Sequence, residues 1–379
     1  MGKVIVLGAG MVGSAMAIDM TPKHRVTLTD ISQDVLDGVK KKCSGLSTLQ
    51  LDVTREKEVQ HIVKEFDLVI NAVPGFLGFN TLKSIIEAGK NVIDIAFCPE
   101  DTLELNALAE TNHVTAIVDC GVAPGMDNVI LGYYNEIMEL TDFECLVGGL
   151  PKVKKWPFYY KAPFSPVDVI EEYTRPARYV ENGKIVVKEP LTDCENVDFD
   201  RVGTLVSFNS DGLRSILTTM SHIPNMKEKT LRYPGHVEYI KVLKESGFFS
   251  TAEIEINGIM VSPLSVTSKV LFNEWKLGDA EEEITVMKVT LKGTNRKGQK
   301  EEIIYTLYDE FNSETGTSSM ARTTGYTATA AANLFLDGLF NEKGVFPPEL
   351  VGKHKACFDY FFSYLEERGI VYEKHTRLV

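Results

Sequence analysis

The sequence predicts an α/β protein with an N-terminal Rossmann-type, doubly wound parallel sheet and a second α+β domain built on a largely antiparallel sheet. Three observations predict it. Residues 3–7 end in Gly8-Ala9-Gly10-Met11-Val12-Gly13, five further strand-like runs alternate with helical segments to about residue 120, and from about residue 125 that rhythm gives way to hairpins.

The first strand, 3–7, is followed by a glycine turn and a helix from Ser14. Gly8 permits the tight turn, Gly10 lets the backbone approach a pyrophosphate, and Gly13 lets helix and strand pack closely, with the phosphates against the helix N-terminus at Met11 and Val12. Asp30 ends the second strand, 25–29, where a carboxylate accepts both ribose hydroxyls and repels a 2′-phosphate, so NAD is expected over NADP. Strands at 47–53, 67–73, 91–95 and 115–120, with helices near 34–42, 56–65, 79–89 and 101–111, complete six strands and five crossovers. Ligands belong beyond the carboxyl ends of such strands. Asp52 there either meets the adenine amino group or caps a helix with Thr54. Ala72-Val73-Pro74-Gly75 forms a loop able to pass beneath the nicotinamide ribose. Asp94 and Asp119 each either face the hydride-transfer site or cap a turn.

A helix at 127–140 opens the second part. Strands 178–181 and 184–187 flank Asn182-Gly183, the favoured two-residue hairpin turn, and 287–292 with 301–308 flank a polar loop. Helices at 166–173, 211–220, 236–246 and 263–273 interrupt this sheet, and helices at 323–339 and 356–367 close the chain. The expected division is 1–125 for the nucleotide, 126–319 for substrate and dimerisation, and 320–379 packing back on the first domain.

Composition narrows the function. Of 379 residues, Lys and Arg supply 40 and Asp and Glu 53, a net charge of −13, and no basic cluster stands out, which argues against nucleic acid. No stretch approaches the roughly 20 apolar residues of a membrane span, and the N-terminus runs into a buried strand without a charged leader, so a cytoplasmic protein is expected. Gly2 lacks the Ser or Thr that myristoylation wants, having Val6 there instead. Cysteines 43, 98, 120, 145, 194 and 357 are scattered without metal-ligand spacing, so reduced thiols and no metal are expected. A serine hydrolase is excluded, since no Gly-x-Ser-x-Gly elbow occurs.

Candidate chemistry lies in the second part. Trp156-Pro157-Phe158-Tyr159-Tyr160-Lys161 sets two phenols beside an ammonium. Arg175, Arg214 and Arg232 each offer a rigid fork suited to a carboxylate, or else make a structural ion pair. His236 follows Pro234-Gly235 on a short rigid arm, as an acid–base group or as a helix N-terminal residue satisfied by backbone.

The glycine turn with Asp30, together with Asn71–Gly78, Asp119–Gly125, Val147–Pro151, Glu172–Arg178, Ser210–Arg214 and Thr230–His236 in the same order, resembles the saccharopine dehydrogenase-like family over residues 3 to about 373. The likeness is greatest to members that oxidise the ε-amino carbon of L-lysine. It implies an NAD-dependent oxidoreductase releasing allysine, which cyclises to piperideine-6-carboxylate, and ammonia. A reductase of larger secondary amines and a nucleotide sensor without turnover are the alternatives. A primary ammonium must lose a proton before hydride leaves. Because free lysine titrates near 10.4, a base is needed, and His236, with a reference value near 6.5, is the expected one. Arg214, Arg175 or Arg232 would hold the carboxylate, Arg214 foremost, and Tyr159 and Tyr160 the methylene chain. Uncovered strand edges lead to the expectation of a homodimer or larger assembly.

Overall fold

The computed structural model describes residues 1–162, 166–278 and 281–379. Strands β1 (Lys3–Leu7), β2 (Arg25–Asp30), β3 (Ser47–Gln50), β4 (Leu68–Asn71), β5 (Val92–Asp94) and β6 (Thr115–Ile117) alternate with helices α1 (Met11–Met20), α2 (Gln33–Lys42), α3 (Glu56–Val63), α4 (Gly75–Glu87) and α5 (Asn106–Thr111). Val4, Val6 and Ile70 face one apolar cluster and Ile5, Leu7 and Val69 another, so the central strands are apolar on both faces, as a sheet covered by helices on each side requires.

The second part runs α6 (Met126–Ile137), β7 (Met138–Pro151), α7 (Pro166–Thr174), β8 (Ala177–Glu181), β9 (Lys184–Lys188), β10 (Glu195–Phe199), β11 (Gly203–Asn209), α8 (Ile216–Thr219), β12 (Asn225–Arg232), α9 (His236–Glu245), β13 (Ile254–Ile256), β14 (Ile259–Val261), α10 (Pro263–Trp275), β15 (Glu283–Asn295) and β16 (Lys300–Glu310). The chain closes with α11 (Ser319–Leu336), β17 (Gly344–Phe346), α12 (Pro348–Gly352), α13 (Lys355–Glu366) and β18 (Tyr372–Leu378). The second sheet has the order β10-β11-β12-β7-β15-β16-β18, with the β8–β9 hairpin branching from β12. Its pairs are antiparallel except β12 with β7, which run parallel.

Three of the departures from the sequence expectation bear on the two sheets and the site. The parallel sheet has seven strands, in the order β17-β6-β5-β4-β1-β2-β3, because three residues from near the chain's end pair with β6. A run that short carries no periodicity. The helix expected at 127–140 stops at Ile137, and β7 starts at once. The helix expected at 211–220 shrinks to α8, because the Asp211 carboxylate is occupied by Arg178 and Arg214 adopts a left-handed φ of +46°.

The final segment serves both sheets. Helix α11 packs on α1, where the Asp19 carboxylate accepts from Thr329 Oγ1 (2.6 Å), Tyr364 OH (2.7 Å) and Arg368 Nε (2.7 Å). Strand β18 extends the second sheet at β16.

Gly132 on α6 lies against α12 so closely that a Cβ would fall 2.0 Å from the Glu349 carbonyl oxygen. Gly132→Ala should therefore cost about 1–3 kcal/mol, seen as a lower urea midpoint, with nucleotide affinity unchanged.

Candidate active site

A cavity of about 740 Å³ opens beyond the carboxyl ends of β1, β2, β4 and β6 and is walled opposite by the second domain. On the nucleotide side it is lined by Gly8, Gly10, Met11, Val12, Gly13, Asp30, Ala72, Val73 and Pro74. Their local geometry follows from size. Gly8 has φ +101° and a Cβ there would lie 2.5 Å from the Ala72 oxygen, while a Cβ on Gly13 would lie 2.0 Å from the Gly8 oxygen. A Cβ on Gly10 would meet nothing within 4 Å. Helix α1 begins there without a side-chain cap, leaving its first N–H groups for an anion. These features fit a dinucleotide. Asp30 accepts from Ala9 N and Ser32 N, both at 2.9 Å, which fixes its carboxylate at the cavity edge.

The opposite wall is acidic and internally paired. Arg232, 1 % exposed, donates to Glu172 at 2.6 Å and stacks 4.4 Å over the Tyr160 ring. Arg175 pairs with Glu171 one helical turn back and lies 5.4 Å from the Phe97 ring. Asp211 binds Arg178 through both oxygens. Glu228, Ser210, Thr230 and Lys276 complete this side.

The structure separates residues that the sequence placed together. Among the expected cofactor contacts, only Asp52 is outside the cavity wall. Its Oδ1 accepts from Thr54 N (3.0 Å) and Oγ1 (2.7 Å), so it caps a turn, and those bonds lower its pKa. Asp119 reaches the cavity, whereas Asp94 is buried behind it, bound by Asn71 Nδ2 (2.5 Å) and Ala96 N (2.8 Å) and raised by burial to about 7.

Arg214, expected foremost on the carboxylate, does not line the cavity. Its Nε donates to Asp119 at 2.9 Å and its Nη1 to the Cys98 oxygen at 2.8 Å, so its fork is spent inside the protein. Arg175 and Arg232 are the expected arginines that reach the wall. Tyr160 lies beneath Arg232, and Tyr159 packs against Gly235 and Tyr239; neither lines the cavity.

His236 is corrected as well. It is fully buried away from the cavity wall, with Nδ1 at 2.8 Å from the Phe158 oxygen and Nε2 at 2.9 Å from Tyr173 OH. Burial and Arg232 push its pKa down to about 3, so it is a neutral bridge with both nitrogens engaged.

Sequence reasoning missed Glu228, Glu172 and Asp211. Glu172 and Asp211 lay within motifs already singled out, but Glu228 sits in a Lys-Glu-Lys run that looks like a solvent-facing strand.

Residues 4–117 match the saccharopine dehydrogenase NADP binding domain and residues 121–370 the saccharopine dehydrogenase C-terminal domain. The chain belongs to the saccharopine dehydrogenase family. It is an oxidoreductase that uses a nicotinamide nucleotide. Its relatives include carboxyaminopropylagmatine dehydrogenase of Synechocystis, 23% identical across 98% of this chain and 96% of that one. Saccharopine dehydrogenase [NADP(+), L-glutamate-forming] of Saccharomyces cerevisiae is 25% identical across 68% of this chain and 60% of its own length. The chain spans about half of the mouse α-aminoadipic semialdehyde synthase, at 22% identity over 99% of this chain and 48% of that one. The fold of apo saccharopine dehydrogenase from Saccharomyces cerevisiae superposes with a TM-score of 0.79 at 21% identity, covering all of both chains.

For His236 the folded pKa lies below the unfolded value, so the unfolded chain binds more protons between about 6.5 and 3. The stability it contributes is complete above 6.5 and is lost as pH falls through that window. The difference in urea midpoint between wild type and His236→Gln should thus narrow from pH 7 to pH 4.5. The kcat–pH profile should stay in place.

Proposed function

We propose that this family member oxidises the ε-amino carbon of L-lysine with NAD, giving allysine, which cyclises to piperideine-6-carboxylate, and ammonia. The carrying observation is one cavity with a glycine turn and Asp30 on one wall, and carboxylates interleaved with arginines on the other. Carboxylates favour an ammonium, and arginine favours a carboxylate. Both arginines are paired with a glutamate, and Arg175 is the better anchor for the substrate carboxylate because its side chain is 22% exposed against 1% for Arg232. Gly8, Gly10, Met11, Val12 and Gly13 would hold the pyrophosphate, Asp30 the adenosine ribose, and Ala72, Val73 and Pro74 the nicotinamide ribose. Asp30 and the absence of Lys or Arg at positions 31–33 favour NAD over NADP. A secondary amine is the second reading, favoured by the match along nearly the whole Synechocystis carboxyaminopropylagmatine dehydrogenase.

We place the enzyme in the cytoplasm, a setting that suits six free thiols. No described helix is long and apolar enough to cross a membrane. Self-association would use the isolated β13–β14 hairpin. It exposes Ile254, Ile256, Ile259 and Met260, and the following helix α10 exposes Val266 and Val270.

An amine panel followed by NADH absorbance tests substrate and nucleotide together. Lysine should outperform saccharopine-type secondary amines, and NAD should outperform NADP; preference for NADP would reassign Asp30. Arg175→Ala should raise KM for lysine by about 10- to 150-fold, equal to roughly 1.5–3 kcal/mol, and leave cadaverine, which lacks the carboxylate, unaffected. Ile259→Glu should lower the molar mass measured by light scattering if the hairpin joins two copies.

A further inference from the structure

Glu228 stands where the cavity meets the protein interior. It lines the cavity but is 5 % exposed, and its carboxyl occupies the space a side chain at position 212 would need: a Cβ on Gly212 would fall 1.9 Å from Oε1. On β12 it is in register with Cys145 of β7, and Asp127 of α6 reaches the same point from behind. Ligand-type atoms of Asp127, Cys145 and Glu228 lie within 4.8 Å of one another, all buried. Asp127 Oδ1 accepts from Gly125 N at 2.9 Å, whereas Asp127 Oδ2 and Glu228 Oε2 are buried with no hydrogen-bond partner among the described residues. Two orphaned carboxyl oxygens at one buried point are costly unless something lies between them.

The surroundings favour a proton. Glu228 faces the acids Asp211 and Glu172, Asp127 faces Glu349, and Cys145, Tyr179 and Tyr372 border the pair as neutral acids. Arg178 is spent on Asp211 and Arg232 on Glu172, so Arg214 is the cation acting on Glu228, and it is itself bound to Asp119. Burial raises both carboxyls, Asp127 to about 7 and Glu228 well above the usual range. Like charges this close ionise one at a time.

We propose that Glu228 and Asp127 share one proton at the floor of the cleft, and that this carboxyl pair accepts the proton released by the substrate's amine. The direction of transfer rests on the amine-oxidation reading above; the shared proton does not. In the step, an N–H bond of the substrate ammonium breaks and an O–H bond forms on Glu228. The pair becomes neutral, and the nitrogen lone pair is freed to form C=N as hydride leaves the carbon for the nucleotide. No electrons are exchanged with the pair, and its proton returns to solvent through the cleft when product departs.

Three variants and one spectrum test this. Glu228→Gln should lower kcat about 10²-fold or more on the best amine of the panel, with nucleotide affinity and melting temperature held. Asp127→Asn keeps the acceptor for Gly125 N but removes the carboxyl whose proton Glu228 shares when it is ionised. Glu228 then ionises less readily, so the ascending limb of the kcat–pH profile should move to higher pH. Glu228→Asp should recover part of the lost kcat, and serves if the amide variant does not fold. The infrared spectrum of the enzyme without substrate at pH 7 should lose one protonated-carboxyl C=O band in Glu228→Gln, whatever the substrate. Survival of that band, or stoichiometric bound metal in the purified protein, would overturn the shared proton. An unmoved limb in Asp127→Asn would overturn the pairing, and unchanged kcat in Glu228→Gln would overturn the proton transfer.

Discussion

The cleft depends on the ion pair between Arg214 and Asp119. Arg214 lies between β11 and α8, in the second part of the molecule, while Asp119 and Cys98 follow β6 and β5 at the carboxyl edge of the parallel sheet. One guanidinium therefore fastens the two sheets together at the rim of the site. Both side chains are almost completely enclosed, at 7% and 3% exposure. Replacing such a pair by apolar residues can be harmless, but deleting one member strands the other charge in a dry interior. Arg214 also packs 4.6 Å from the Phe97 ring, the ring on which Arg175 lies from the cavity side. The buried arginine thus helps position the accessible one.

The second wall follows the same logic of paired charge. Arginines and carboxylates alternate there, and Arg175, Arg232 and Arg178 are each paired with a carboxylate. A substrate bearing both an ammonium and a carboxylate can exchange partners with such a wall without leaving a buried charge alone. Glu228 and Asp127 fall outside this pairing, which is why a proton is assigned between them.

The nucleotide half was the most legible part of the sequence, because its function is carried by backbone shape. Gly8 and Gly13 are required by close approaches of the main chain, and such requirements are local. The position of Asp30 at the cavity edge was readable for the same reason, since it ends a strand whose start was marked. The substrate half was read in outline only. Arg214, Arg232 and His236 were rightly singled out as unusual, but what makes them so is burial in networks spanning distant segments: Asp119 for Arg214, Glu172 for Arg232, and Phe158 with Tyr173 for His236. Chemistry-bearing residues look alike in sequence whether they face a ligand or one another. Glu228 illustrates the converse, since its charged neighbours along β12 suggest water on a strand whose end lies in the core.

The path of the final segment bears on how the protein is made. Strand β17 and helix α11 complete the first sheet and cover α1, yet they follow β6 only after the whole second sheet but β18 has been laid down. At about 5–20 residues per second, the roughly 230 residues between β6 and β17 take on the order of ten to forty seconds to synthesise. During that interval the nascent Rossmann unit keeps an open edge at β6 and a bare apolar face on α1. The cofactor half, although it emerges ahead of the second sheet, is therefore among the last parts to be finished.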